Sequence, residues 1–574
     1  ERWDSSPKMA SNIIFLTAPR NEPMGFLYAD EGRKTSKARN KPSLPVRVLR
    51  EKSCTVCPRN KATAFHPKMK ASGRGGSCDV FVLGPAPSQA ADKDGEFFSD
   101  SAGSLLRSLL PSDVTIKWGG IIQCFQDGNP DEAVSIACCH SRIVQDIERA
   151  KPDVIMAVGA APLRWLLQSD LVTSSFHWRG RRVPVKVGEH TCWVLPIRDV
   201  VEVIEKARIK KFKARLDEEL ELERDVEALD AFFDNYSKPE LRIPSPADVD
   251  VLGTVKQVEK ALTRMSGEKY VGVDYESYPL RPYAKDSRLS TAAFATTSEA
   301  IAFPLRHINA PWNRRERSIL VDMVAEFFAE SGVQFIAHNL QMELEWSIHE
   351  FGEEALEAVW HDSMSMAYVL DPRKGTLNLN FQSLATLGYP VKSMSPQLNM
   401  RQMHVEPLDQ VLPYNGLDAI ACLDVFLELD SRLEDPGTRA AYGRQVRTTI
   451  AYVQMLREGI PVKAEVVKEF NDRLETAEAS ARTAIQASKQ ARLFKRSLGR
   501  VFDPGVDADL DALFGGLLGR DEIVVERRDK NTKKMVTKKS FDAEVLKAMD
   551  DLEISGAILD LRAQEKLLKT YIRP

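Results

Sequence analysis

The sequence has few of the features that mark secreted, membrane-spanning or nucleic-acid-coating proteins. Its 574 residues include only eight cysteines, unevenly placed, which argues against a secreted disulfide framework. No apolar run reaches the roughly 18 residues that a membrane-spanning helix needs, and no signal-peptide pattern occurs at the N-terminus. We therefore expect a cytoplasmic protein whose thiols stay reduced.

Positive charge is not in excess either. The chain has 79 Lys and Arg against 82 Asp and Glu, and its formal net charge is −3 at pH 7. This balance argues against a wholly basic DNA-coating protein, although a local basic groove is enough to bind nucleic acid. Hydrophobic residues make up 43% of the chain, and its length predicts about three or four domains, each with its own core.

The first segment, residues 1–204, alternates strand patterns with helix patterns. Such alternation predicts an α/β sandwich with a largely parallel sheet. The predicted strands are 78–84, 119–124 and 153–159, and the predicted helices lie near 104–110, 142–149 and 162–168.

Three further segments follow. Residues 205–248 begin with a highly charged helical stretch and end in a proline-rich boundary, and we favour a solvated linker helix there. Residues 249–435 carry a second α/β pattern. Residues 436–574 have an almost entirely helical pattern with a basic insertion.

The second α/β segment carries carboxylates at three places, the first two of which involve strands. Asp274 and Glu276 occupy alternate positions of an apolar strand, so both side chains project from one face. Asn339 and Glu343 follow at a strand-to-helix transition.

The third place is a helix, on which Tyr414 and Asp418 lie one turn apart. Four carboxylates gathered together repel one another unless cations join them, and Mg²⁺ or Mn²⁺ are the natural partners of oxygen ligands. Two such ions about 4 Å apart can stabilise the attacking and leaving oxygens of phosphodiester hydrolysis.

These motifs, together with residues 360–372 and 377–390, resemble the exonuclease domain of family A DNA polymerases, a DnaQ-like exonuclease with a tyrosine in its third motif. The resemblance implies an RNase H-like α/β fold and a proofreading activity that removes nucleotides from a single-stranded 3′ end. It also implies two Mg²⁺ or Mn²⁺ ions.

The resemblance further implies a role for each motif residue. Glu343 stands where the family usually has Asp, and the extra methylene predicts an altered fit to the second metal rather than its loss. A domain that has lost its activity is the alternative. By this resemblance, Asp274 would bridge both metals, and Glu276 and Asp418 would hold the first metal. Tyr414 would orient the attacking water, and Asn339 would contact the DNA.

Four of the cysteines form a pair followed by two singles: Cys54, Cys57, Cys124 and Cys139. Four thiolates in this pattern suit a [4Fe–4S] cluster, with structural zinc or free thiols as alternatives. The surrounding residues 80–110 and 124–167 resemble family 4 uracil-DNA glycosylases. This resemblance favours the cluster, and its register favours Cys139 over the adjacent Cys138 as the fourth ligand.

The first segment differs from that family at the positions whose side chains carry out base excision. Pro85 replaces an acidic residue, Gly120 falls at about the position of the uracil-reading Asn, and Asp199 stands where a His is expected. Excision requires hydrogen bonds to a flipped base and stabilisation of the charge that develops on it. We therefore expect a non-catalytic domain, kept for DNA binding or for polymerase architecture.

Three other side chains of this segment bear on its function. Phe98 could still stack on a DNA base. Gln89 or Asp92 could have taken over the activation of water, which would leave some excision activity.

Residues 436–574 resemble the thumb of family A DNA polymerases, an all-α segment in which paired long helices flank a tip that grips duplex DNA. Lysines gather between the predicted helices, and such lysines bind phosphates without regard to base sequence. A solvated loop is the alternative. The predicted phosphate contacts are Lys530, Lys533, Lys534, Lys538 and Lys539.

The sequence stops where the family continues into palm and fingers, so we expect no polymerisation by the chain alone. The leading hypothesis is the proofreading 3′-5′ exonuclease portion of a replicative, bacteriophage-type family A DNA polymerase that acts on primer-template DNA in the host cytoplasm. The alternatives are a DNA-binding accessory module with decayed glycosylase and nuclease sites, and a stand-alone repair nuclease.

Overall fold

The computed structural model describes residues 54–61, 64–125, 132–209, 212–234, 236–284, 286–394, 398–528 and 535–572. The described residues up to Arg457 belong to one compact unit, and those from Glu458 onward belong to a second. Among the described residues, no helix combines the length and apolar character needed to cross a bilayer.

The first domain is built on a sheet with the strand order β2-β1-β3-β5-β4, in which only the edge pair β4–β5 is antiparallel. The central strands β1 and β3 are wholly buried, as expected for parallel strands covered on both faces. The strands are β1 (Val80–Gly84), β2 (Ile116–Gly120), β3 (Val154–Val158), β4 (Val183–Val187) and β5 (His190–Ile197).

The helices of this domain are α1 (Gln89–Asp94), α2 (Ser101–Leu109), α3 (Glu132–Ala150), α4 (Ala160–Leu167), α5 (Val200–Ile209) and α6 (Phe212–Asp234). The second strand differs from the prediction of 119–124. Ile121 and Ile122 donate backbone hydrogen bonds to the carbonyls of Gly84 (2.9 Å) and Pro85 (3.0 Å). Strand β1 ends at Gly84, so the regular pairing of β2 with β1 also ends there, at Gly120.

The charged helix α6 is not the solvated linker that its composition suggested. One of its faces packs against the first sheet, and Arg179 lies 2.7 Å from Asp225 of the helix. The apolar residues that form this face recur at helical spacing and were obscured by the charges between them. They are Leu222, Val226, Leu229 and Phe232.

The second domain contains a sheet with the order β11-β10-β7-β8-β9-β6. Strand β7 lies inside it, parallel to β10 and antiparallel to β8. The strands are β6 (Val249–Val251), β7 (Tyr270–Tyr278), β8 (Arg288–Ala295), β9 (Ala300–Pro304), β10 (Gln334–Ala337) and β11 (Val359–Asp362).

Helix α12 lies closely against the sheet, and two glycines remove side chains from its contacts with β7 and β6. A Cβ on Gly272 would lie 2.5 Å from the Ala419 carbonyl oxygen, and one on Gly416 would lie 2.3 Å from Val249. The helices are α7 (Val255–Met265), α8 (Arg314–Glu330), α9 (Leu340–Phe351), α10 (Ser363–Leu370), α11 (Leu379–Leu387), α12 (Leu408–Asp430) and α13 (Pro436–Glu458).

The first and second domains share a core, because α11 of the second domain packs against β4 of the first. The fully buried Trp178 ring lies 4.6 Å from the Phe381 ring, measured between centroids. Arg181 forms an ion pair with Asp371, and Arg373 donates to the Arg179 carbonyl at 2.9 Å.

The C-terminal unit pairs the long helices α14 and α18 around a small core. It differs from the all-α prediction by a hairpin, β12–β13, where β-branched residues favour strands. The helical pattern is also interrupted at Ser488, which caps a new helix. Its elements are α14 (Ala464–Ala487), α15 (Lys489–Leu498), α16 (Asp507–Leu510), β12 (Val524–Arg528), β13 (Met535–Lys539), α17 (Ala543–Ala548), α18 (Glu553–Leu567) and the π-helical turns Asp511–Leu517 and Leu568–Ile572.

Candidate functional site

Three acidic side chains of the second domain converge where β7 meets α12. One carboxylate oxygen from each of Asp274, Glu276 and Asp418 lies within 4.8 Å of the others. In the described part of the chain this is the only group of three or more potential ligands that lies so close together. Glu276 and Asp418 are buried, and Asp274 is half-buried.

Strand and helix geometry bring these groups together. Asp274 and Glu276 lie on one face of β7, and the strand register shifts directly after Glu276. Asn415 of α12 donates to Asp274 Oδ2 at 2.6 Å and accepts from Thr291 of β8 at 2.8 Å. Asn415 therefore fixes the orientation of the Asp274 carboxylate, and Asp418 follows one helical turn later.

Burial and mutual repulsion disfavour the charged state of the three acids. Burial raises the pKa of Asp274 well above its usual range, and Asp418 and Glu276 add to this effect. Burial and repulsion by Asp418 raise the pKa of Glu276 to about 8. Burial also raises the pKa of Asp418 to about 6, partly offset by Lys392 and by the hydroxyl of Tyr414.

Glu343 and Tyr414 border the group. Glu343, near the N-terminus of α9, is buried, and burial raises its pKa well above the usual range. Tyr414 is buried too and forms a hydrogen bond with Asp418. All five residues predicted from the sequence therefore lie in one region, although Glu343 is outside the closely spaced trio.

Asn339 occupies a left-handed backbone conformation (φ 82°) immediately before α9, and its side chain is exposed. Its backbone amide donates to Asp362 Oδ1 at 3.0 Å. Asp362 is buried and also bonds Ser365 at 2.5 Å, so it fixes the start of α9. DNA contact by Asn339 stays a prediction.

The site has the chemistry of a cation site. Asp418 Oδ1 and Glu343 Oε2 are buried and have no hydrogen-bond partner among the described residues. A buried carboxylate oxygen without a partner is costly, and a hard divalent cation satisfies such oxygens. Metal ions therefore fit the residues that are present.

Residues 250–434 match a family model described as 3′-5′ exonuclease, of the type found in family A DNA polymerases. The second domain is a 3′-5′ exonuclease domain. Residues 73–214 match a second family model, described as the uracil DNA glycosylase superfamily. None of the curated proteins matches the chain.

Among solved structures, the chain is similar to the POL domain of Pol1 from M. smegmatis in complex with DNA primer-template and dNTP. The two are 16% identical, with a TM-score of 0.38, and the match covers 56% of this chain and 49% of that one. The chain thus spans about half the length of that structure.

The glycosylase-like first domain has little room for a uracil-reading side chain at Gly120. A Cβ there would lie 2.7 Å from the buried ring of Phe97. Asp199 accepts hydrogen bonds from the backbone amides of Val201 (3.0 Å) and Glu202 (3.4 Å), as an ordinary helix cap does.

The other candidates in this domain also have structural partners. Both carboxylate oxygens of the buried Asp92 accept backbone hydrogen bonds, from Phe65 at 2.8 Å and His66 at 3.0 Å. The Phe98 ring lies over Gly84 and 5.5 Å from the Trp118 ring, measured between centroids. Base stacking by Phe98 stays a prediction.

The cysteines predicted to hold a cluster lie in one region. Arg142 of α3 donates to Cys54 Sγ at 3.0 Å and to Cys139 Sγ at 3.4 Å. Burial raises the pKa of the Cys139 thiol, and Cys124 and Cys57 raise it further. Among the described residues, no three of these sulfurs lie within 4.8 Å of one another. The thiols suit a cluster by type but do not form a closed ligand set.

The structure describes two of the five lysines that were predicted to contact DNA. Lys538 and Lys539 lie in β13 and are exposed, and Lys539 is 2.5 Å from Asp511. Their role stays a prediction. Lys530, Lys533 and Lys534 lie outside the described residues.

Sequence reasoning missed several residues that support these sites. Asn415 carried a detectable signal, because it is a polar residue next to Tyr414 and three positions before Asp418 on the same helix. Asp362 and Arg142 gave no such signal, since their partners lie far away in the sequence.

Proposed function

We propose that the second domain hydrolyses the 3′-terminal phosphodiester of single-stranded DNA with two bound Mg²⁺ or Mn²⁺ ions. The observation that carries the proposal is the closely spaced group of Asp274, Glu276 and Asp418, two of which are buried. The ions would supply positive charge to the attacking and leaving oxygens.

Each side chain has its own part in this proposal. Asp274 would hold both ions, and Glu276 and Asp418 would hold the first. Glu343 would reach the second ion through water, since it lies outside the trio. The Tyr414 hydroxyl would orient the attacking water together with Glu276.

The test is digestion of 5′-labelled single-stranded DNA in the presence of Mg²⁺ or Mn²⁺. We expect the label to appear in a ladder of progressively shorter strands. Changing both Asp274 and Glu276 to Ala should abolish digestion, because the metals lose their main ligands. Asp322→Ala, an exposed carboxylate of the same domain, is the matched control. Equal digestion by the double variant would contradict the assignment.

The broader role we propose is proofreading within a replicative, phage-type family A DNA polymerase. The exonuclease family match and the glycosylase-like domain support this role. Single-stranded 3′ ends and primer-template duplex would be the DNA partners. Joining the chain to a palm and fingers segment should give a protein whose polymerisation errors rise when Asp274 is changed to Ala. An unchanged error rate would argue for a stand-alone nuclease.

We propose a structural role for the glycosylase-like domain instead of base excision. The crowding at Gly120 and the bonded carboxylates of Asp92 and Asp199 support this view. Its shared core with α11 supports the idea that the first domain stabilises the exonuclease domain.

We also propose that Cys54, Cys57, Cys124 and Cys139 hold a [4Fe–4S] cluster, whose thiolate ligands these side chains match in type. Protein prepared without oxygen should contain about four irons per chain. Cys139→Ser should lose the iron, whereas Cys138→Ser should keep it. Stoichiometric zinc without iron would replace the cluster with a zinc site.

A further inference from the structure

A short 3-10 turn, Val391–Met394, packs against α11 and against α12, the helix that carries Tyr414 and Asp418. Val391 is fully buried, and its amide donates to Ser383 Oγ at 3.2 Å. The amide of Lys392 donates to Asn380 Oδ1 at 3.0 Å. The backbone at Lys392 is therefore fixed by α11, although its side chain is exposed.

The charge of Lys392 acts on the acidic site itself. It opposes the effect of burial on the pKa of both Glu276 and Asp418. Within the described residues, however, no carboxylate lies close enough to its ammonium group to form an ion pair. Arg281, another cation of this region, is by contrast paired with the buried Glu345.

Binding of metal ions changes the balance of charge around Lys392. The charges of four carboxylates and two divalent ions cancel, so the acids would no longer attract the ammonium group. An exposed lysine on a fixed backbone beside a neutralised site is well suited to bind an anionic substrate. The substrate that we propose for this site is a DNA strand, whose backbone phosphates are anions. Lysine binds phosphate as a point charge.

We propose that Lys392 binds a backbone phosphate of the DNA strand whose 3′ end occupies the acidic site. This inference rests on the proposed exonuclease function and adds a substrate-binding residue to it. Lys392 would raise affinity for the strand without holding a metal ion.

The first test measures binding without catalysis. Fluorescence anisotropy of labelled single-stranded oligothymidylate would be recorded over a range of salt concentrations, in the full-length chain with Ca²⁺ in place of Mg²⁺, so that a divalent ion neutralises the carboxylates while hydrolysis is suppressed. Lys392→Ala should weaken binding about 5–10-fold and lower the slope of log affinity against log salt by about 0.7, the value for one phosphate contact on a single strand. Lys392→Arg should retain most of the affinity.

The matched control is Lys256→Ala, which removes an exposed lysine from α7. It should leave both the affinity and the salt slope unchanged. If Lys392→Ala behaves like Lys256→Ala, the inference is wrong.

The second test uses the active chain. Lys392→Ala should raise KM for single-stranded DNA, with a smaller effect on kcat and no change in the Mg²⁺ concentration needed for half-maximal rate. A neutral methylphosphonate at the bound position should cancel the difference between Lys392→Ala and wild type. A changed Mg²⁺ requirement with an unchanged salt slope would show that Lys392 only balances the acids, and would overturn the inference. A wild-type chain that does not shorten DNA would instead contradict the proposed function.

Discussion

The exonuclease site and the glycosylase-like domain differ in the hydrogen bonds that their buried carboxylates make. In the exonuclease site, Asp418 Oδ1 and Glu343 Oε2 are buried without a hydrogen-bond partner among the described residues. In the glycosylase-like domain, Asp92 is equally buried, but both of its oxygens accept backbone hydrogen bonds. Asp199 likewise accepts from the amides that begin α5.

This difference is the one expected between a functional site and an architectural one. A buried carboxylate with unsatisfied oxygens destabilises the fold, and such groups cluster where a ligand or reaction requires them. A buried carboxylate whose oxygens are bonded to backbone amides stabilises a local structure and needs no ligand. The comparison therefore predicts chemistry in the second domain and packing in the first.

The largest predicted contrast is in activity. The Asp274→Ala chain should produce no abasic sites on uracil-containing single-stranded DNA. Loss of a single preorganised donor typically costs about two to three orders of magnitude in rate, and Pro85 and Gly120 offer no side-chain hydrogen bond at all. Abasic sites above background would show that the first domain retains chemistry.

Introducing the asparagine of the glycosylase family at Gly120 tests the same difference in activity between the two domains. Gly120→Asn should fail to restore excision and should lower the melting temperature, because its Cβ would lie 2.7 Å from Phe97. Gly76→Asn is a suitable control, since no atom lies within 4 Å of the Cβ position there.

The next effect concerns the shared core. Trp178→Ala should lower the free energy of unfolding by about 3–5 kcal/mol, because it leaves a cavity against Phe381. Phe176→Ala, two residues away and 53% exposed, should cost less than about 1 kcal/mol. Thermal unfolding and heat inactivation of the exonuclease should shift together. An unshifted inactivation temperature would show that the first domain does not stabilise the second.

The smallest predicted effect is the dependence of stability on pH. The folded pKa values of Glu276 (about 8) and Asp418 (about 6) are raised, so the folded state holds protons that the unfolded chain has released. Stability of the metal-free protein should therefore fall as pH rises from 5 to 8. Chemical denaturation in the presence of a chelator would measure it.

Two controls identify the source of this pH dependence. The Glu276→Gln, Asp418→Asn double variant should lose most of it, and Mg²⁺ should restore wild-type stability at pH 8 but not that of the variant. The same slope in the variant would assign the effect to groups outside the acidic site.

Much of the exonuclease site could be predicted because its signals are local. Asp274 and Glu276 alternate on one strand, and Tyr414 and Asp418 lie one helical turn apart. Asn415 could have been found in the same way, as the polar neighbour of Tyr414 three positions before Asp418. The position of Lys392 could not, because it depends on a turn held by Ser383 and Asn380.

The charged helix α6 shows how a strong local pattern can mislead. Its many Glu and Asp residues indicated solvent on all sides, yet Leu222, Val226, Leu229 and Phe232 are buried. The hydrophobic effect acts on one face of a helix, so a narrow apolar face is enough to bury it once a sheet is available.

The sequence by itself determined the order of the α/β segments and the residue types of the acidic site, because strand alternation and helical spacing are properties of neighbouring residues. Only the tertiary structure decided which carboxylates lie within 4.8 Å of one another, which buried oxygens lack partners, and that α11 joins the core of the first domain. These outcomes depend on packing between segments up to about two hundred residues apart, as Arg181 and Asp371 are. No local pattern encodes such distances, since each arises from close packing of the folded chain as a whole.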